Sequence, residues 1–175
     1  SGDAEDVQKC LNGLAQTLGK GSGNEAQLKA LLEKVRLLSG ASPVNEAVMI
    51  GRMVDATDGS VVQRGLFDAY RGAIKTASPA HRDEIRSRLA AANAPRALAL
   101  DAVRDLARLN KQEAKESLRR WRGQVFARCS GAEEALSAHV ARALSEKPGT
   151  EMPLVEVLLE EAPRPLKPGV IALVN

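Results

Sequence analysis

Apolar side chains recur along the chain at steps of three and four, the period of helices buried on one face. Val7, Cys10, Leu11, Leu14 and Leu18 mark the first stripe, with Cys10 read as a small core residue. Gly19-Lys20-Gly21-Ser22-Gly23 ends it, because glycine is held in a helix only at an entropic cost. Leu28, Leu31, Leu32, Val35 and Leu38 form the second stripe, and Gly40 stops it. Ser42-Pro43 reads as an N-cap followed by proline at the first helical position, where the missing N–H costs nothing. Val44, Met49, Ile50, Met53 and Val54 follow, closed by Asp58-Gly59.

Ser60 and Gln63 have the spacing of a capping box, as do Asn110 with Glu113 and Ser130 with Glu133. The first box opens a helix that turns Val62, Leu66, Phe67, Tyr70 and Ile74 inward; Ser78-Pro79 opens the next, with Ile85 and Leu89. Pro95 starts a helix carrying Leu98, Leu100, Val103, Leu106 and Leu109. The second box leads to Ala114, Leu118, Trp121, Val125 and Phe126, and the third to Leu136, Val140 and Leu144. A short helix is expected around Leu154–Glu160, before Pro163, Pro165 and Pro168 impose an extended tail. No stretch alternates with period two, so the expected fold is all-α: an antiparallel multi-helix bundle or helical array of eight to nine short helices, with no sheet. Residues 4–147 form the helical domain, either one body or two small bundles at 4–76 and 78–147. Residues 148–175 hold the short helix and the proline-rich tail.

Composition narrows the function by exclusion. In 175 residues, 44% are apolar and 27% charged, which is too apolar for a disordered chain and enough for one core or two very small ones. No apolar run reaches the roughly 20 residues that span a bilayer. No signal or transit peptide is recognisable; the leading Ser-Gly and the apolar end Val170–Val174 read as the edges of an excised domain or, for the tail, as a docked segment. Two unpaired cysteines, Cys10 and Cys129, fit a reducing compartment, nucleus or cytoplasm.

Catalytic chemistry finds no footing. The two histidines, His81 and His139, lack ligand partners at metal spacing except for His81 with Glu84, which reads as a first-turn surface pair. Cys129 has no His or Asp at hand to make it a nucleophile, and the glycine run at 19–23 lacks the spacing of a phosphate loop. The expectation is a non-enzyme with no metal and no cofactor.

The net charge of +3 conceals a segregation. Residues 62–130 carry 15 basic and 7 acidic side chains, whereas residues 131–175 carry 4 and 7. Lys111, Lys115, Arg119 and Arg122 share one face of one helix, and Arg104 and Arg108 in the preceding segment can lie alongside. Such a face reads as a solvated surface, as a docking face for an acidic protein segment, or as a phosphate-binding surface. With aromatics at 2% of the chain, nucleic-acid readout by stacking is disfavoured.

Residues 5–75 resemble the N-terminal helical-bundle domain of the transcription elongation factor TFIIS, shared by Elongin A and related factors. The likeness rests on Val7–Leu18, on Leu28-Lys29-Ala30-Leu31-Leu32-Glu33-Lys34-Val35, on Pro43-Val44-Asn45, on Ile50-Gly51-Arg52-Met53-Val54 and on Val62–Ile74. The family closes on Trp followed by Lys, where this chain has Tyr70-Arg71. A similar closing pattern occurs later, in Ala114 to Val125 around Trp121-Arg122, with Val103 to Leu106 before it but without the Ile-Gly pair. Two related bundles in tandem, one bundle with extra helices, or chance similarity among leucine-rich helices would each produce this pattern. The resemblance implies a nuclear, non-catalytic module that docks short acidic segments with a Phe or Leu anchor, and carries a binding role onto Trp121, Lys115, Arg119 and Arg122. Packing alone gives Trp121 the other role, the core anchor of its helix. The reading is a protein–protein interaction module; the alternatives are a structural domain from a larger scaffold and an electrostatic nucleic-acid binder.

Overall fold

The structure is a computed structural model. It describes residues 2–21, 25–57, 61–106, 108–146, 156, 157 and 160, the side chains of 143–146 excepted. Among these residues there are eight α-helices and no strand: α1 (Gly2–Lys20), α2 (Glu25–Leu38), α3 (Pro43–Asp55), α4 (Val61–Thr76), α5 (Pro79–Ala91), α6 (Pro95–Leu106), α7 (Lys111–Gln124) and α8 (Ala132–Glu146). A 3-10 turn at Phe126–Arg128 follows α7. The all-α architecture is as the periodicity predicts. Glu156, Val157 and Glu160 are helical as well; the rest of the expected short helix and the proline-rich tail lie outside the described residues. The chain divides into two compact units, 1–97 and 98–175, with the division inside α6.

The first unit is organised around α3, which packs against α1, α2, α4 and α5. Val44, Ala47, Val48, Ile50, Gly51, Met53 and Val54 are all buried, so α3 is apolar on nearly every side, the property of a central helix. Gly51 is the point of closest approach. A Cβ there would lie 2.8 Å from Leu89 Cδ2 and 3.4 Å from Tyr70 Cε2, and Leu89 and Tyr70 are themselves fully enclosed.

On α1 the sequence reading needs correction. Cys10 is exposed and Leu14 is 42% exposed, because the buried stripe runs through Gln8, Leu11 and Ala15. Gln8 can turn inward because its amide is satisfied: Nε2 donates to Asn12 Oδ1 at 2.9 Å and to the Met49 carbonyl at 3.2 Å.

Local capping follows the sequence where the cap is a near neighbour. Ser42 Oγ accepts from Asn45 N, Ser78 Oγ accepts from His81 N, and Asn110 with Glu113 forms a reciprocal box at 3.0 and 3.3 Å. Ser60 lies outside the described residues. Its expected partner Gln63 is buried and donates to the carbonyls of Val54 and Thr57, closing the C-terminus of α3. Before α8 the backbone turns at Gly131 (φ 79°), and Glu133 reaches back towards Arg122. α6 stops at Leu106, short of the expected Leu109, since Asn110 must leave the helical conformation to cap α7.

The start of α6 is capped from far along the chain. Asp55 at the end of α3 accepts from Arg96 N at 2.9 Å and Ala97 N at 3.1 Å, and Arg96 in turn donates to the Thr57 carbonyl at 2.7 Å. Burial pushes the Asp55 carboxyl up from 3.8 to about 6, against the pull of the two N–H donors.

In the second unit Leu98, Leu106, Leu118, Trp121, Phe126, Leu136 and Val140 are buried. The Trp121 and Phe126 rings meet edge to face, centroids 5.8 Å apart at 77°. All four aromatic residues of the chain, Phe67, Tyr70, Trp121 and Phe126, are buried.

Gly51→Ala is expected to lower stability by about 1–3 kcal/mol in urea unfolding, because the added methyl overpacks against Leu89. Asp55→Ala is expected to cost about 1–2 kcal/mol by leaving two helix N–H groups without their acceptor. The raised carboxyl means the folded chain binds this proton more readily than the unfolded one. Its contribution therefore favours folding at low pH and is lost as pH rises through about 6. Asp55→Asn removes this titration, so its stability relative to wild type should rise by about 2 kcal/mol between pH 4 and pH 7.

Candidate functional site

The α7 helix owes its position to the Asn110–Glu113 box at its start and to the buried stripe Ala114, Leu118 and Trp121 along its length. At about 100° per residue, Lys111, Lys115 and Arg122 fall on one flank of that stripe and Arg119 further round towards solvent. Lys115 and Arg122 are half-buried and Arg119 is exposed, as this placement requires, while Lys111, at the start of the helix, is exposed as well. Trp121 is 5% exposed and lies in the core against Phe126. Arg104 is half-buried on α6, and Arg108 is exposed in the connection to α7.

Two of the predicted cations are brought together by a residue that the sequence did not single out. Glu160 Oε1 lies 2.8 Å from Lys111 Nζ, and its other oxygen pairs with Lys115 Nζ. Glu156 Oε2 stands 3.4 Å from the same Lys111. Between these carboxylates in sequence, Val157 is completely buried. Arg122 faces a different carboxylate, Glu133 of α8, with Nε to Oε1 at 3.5 Å. The hydrogen bonds from Lys111 and Lys115 hold the Glu160 carboxyl at about 2, well below its ordinary 4.5, and Glu160 in return raises Lys111.

Lys111 and Lys115 are four residues apart on α7, about 6 Å along its axis, and Glu156 and Glu160, four positions apart in sequence, supply the carboxylates they meet. This arrangement can hold carboxylates beside an apolar side chain. It contains no nucleophile with a base beside it, and among the described residues no group of three or more His, Cys, Asp or Glu could hold a metal ion. Cys129 is buried and His81 exposed. No helix among the described residues is long and apolar enough to cross a membrane.

The first unit offers a cleft of about 400 Å³ lined by Leu32, Val44, Ile50, Ala73, His81 and Ile85. Elsewhere on this unit Arg52 forms a two-pronged pair with Glu5, at 2.5 and 3.2 Å. That partner is supplied by the same unit.

No protein-family model, no curated protein and no solved structure matches the chain.

Glu160 is expected to titrate near 2 by carbon-detected NMR and to move back towards 4.5 in Lys115→Ala. Because its carboxyl is depressed in the folded chain, the pairing is complete above the ordinary carboxylate range and is lost as pH falls through about 2.

Proposed function

We propose that the chain is a non-catalytic interaction module whose α7 face docks a short acidic segment, with an apolar anchor, of a protein partner. The observation that supports this reading most is the cationic flank of α7, where Lys111 and Lys115 show their capacity to hold carboxylates by pairing with the chain's own Glu156 and Glu160, beside the buried Val157. Charge fixes where such a segment lies, and burial of its apolar side chain supplies attraction. The enclosure of all four aromatics argues against recognition of nucleic-acid bases by stacking. On the resemblance of residues 5–75 and 114–125 to elongation-factor bundles, the partner belongs to the transcription machinery and the module works in the nucleus. Trp121 serves by anchoring α7, and Lys111, Lys115, Arg119 and Arg122, with Arg104 and Arg108 beside them, supply the cationic rim.

The test is an amide chemical-shift titration with short acidic peptides carrying one Phe or Leu. The expected result is shifts clustered on residues 111–122, with binding weakened at least tenfold by Lys111→Glu together with Lys115→Glu, and weakened further by salt. Silence across the peptide panel, or binding of duplex DNA through the same residues in place of the peptides, overturns the reading.

A further inference from the structure

The cleft of the first unit owes nothing to α7. Its volume of about 400 Å³ falls within the range of small-molecule sites. The floor is apolar: Val44 and Ile50 of α3 and Ile85 of α5 are buried, and Leu32 of α2 is half-buried. Where α4 borders the space it presents Ala69 and Ala73, one turn apart. Two methyl groups leave open the volume that leucines at those positions would fill.

The polar lining is sparse and mostly committed. Thr76 Oγ1 is 3.2 Å from the carbonyls of Gly72 and Ala73 and donates to them, and Ser78 Oγ accepts from His81 N. Glu46 differs. It is the acidic residue of the lining, half-buried in the first turn of α3. Among the described residues its carboxylate has no hydrogen bond or ion pair. The arginines of α5 are engaged elsewhere. Arg82 donates to the Ile74 carbonyl at 3.0 Å, Arg86 pairs with Asp83 at 3.8 Å, and Arg88 donates to Asn45 Oδ1 at 2.7 Å. His81 is the basic residue of the lining, and it is exposed.

We propose that this cleft binds a small amphiphilic amine, a compact apolar body carrying one protonated nitrogen. The body fills the space between Ala73, Ile50 and Ile85, and the ammonium donates to the Glu46 carboxylate. Burial of the body supplies most of the attraction. A half-buried carboxylate without a donor gains more from an ammonium than from a neutral hydroxyl, because the bond is charge-assisted and partly shielded from water. A carboxylate ligand meets like charge at Glu46 and is disfavoured. One side chain thus sets the sign of the ligand's charge, and two alanines set its size.

The experiment is an amide chemical-shift titration of the full chain with three probes of similar shape: phenethylamine, 2-phenylethanol and 3-phenylpropanoate. It is run at pH 8, above the ordinary histidine range. Phenethylamine is expected to shift residues around Val44, Glu46, Ala73 and Ile85 and to bind about fivefold more tightly than the alcohol, with the carboxylate weakest. Glu46→Gln should remove the preference for the amine and keep the affinity for the alcohol. Ala73→Leu should abolish binding of all three by filling the space, with circular dichroism checking that helix content is retained. Unchanged affinity in folded Ala73→Leu overturns the site. Equal affinity for amine and alcohol, or a preference for the amine that survives Glu46→Gln, overturns the role of Glu46. Tighter binding of the carboxylate, or no shift with any probe at millimolar concentration, overturns the ligand class. Tighter binding of acetyl-leucyl-lysine amide than of phenethylamine overturns the free amine in favour of a partner's side chain. None of these outcomes bears on α7, whose docking role stands or falls on the acidic-peptide titration.

Discussion

Lys111 and Lys115 stand one turn apart at the edge of a buried stripe, and the Glu160 carboxylate reaches both. This pairing carries the account of function. Ammonium groups on the flank of a packed helix cannot turn fully towards water, because their stems run along the apolar surface they border. The Glu160 carboxylate is positioned there by two donors, and Val157, three positions earlier, is fully buried.

Both units pack small side chains among their buried leucines. Alanines such as Ala97, Ala99, Ala102, Ala114 and Ala132 are fully buried, as is Gly51 within α3. Small residues let helices approach closely and make the packing depend on shape. Polar groups that close packing encloses are matched individually: Gln8 by Asn12 and the Met49 carbonyl, Gln63 by the end of α3, and Asp55 by the first N–H groups of α6. Asp55 carries a cost as well as a benefit, since burial raises its carboxyl while its two donors favour the charge.

Much of the architecture is legible in the sequence because it is local. The caps at Ser42, Ser78 and Asn110 involve residues three apart, and the apolar period marks the helices within a few residues of their observed ends. What could not be read is set by contacts distant in sequence. The cap on α6 comes from Asp55, about forty residues earlier. The stripe on α1 had the correct period, but Gln8 lies inside and Cys10 outside, since periodicity does not say which flank meets a neighbour. The candidate site was half legible. The basic face of 111–122 and a short helix near 154–160 are both expected from the chain, yet nothing local marks Glu156 and Glu160 as partners of groups 45 positions away.

Lys111 and Lys115 hold the carboxylates of Glu156 and Glu160. Hydrogen–deuterium exchange of the full chain tests this central pairing most directly, comparing wild type with Lys111→Glu/Lys115→Glu at low ionic strength. Slowed exchange is expected at residues 156, 157 and 160 in wild type, lost in the charge-reversed chain while exchange in α1–α5 is unchanged. Equal exchange at those residues in the two proteins would contradict it.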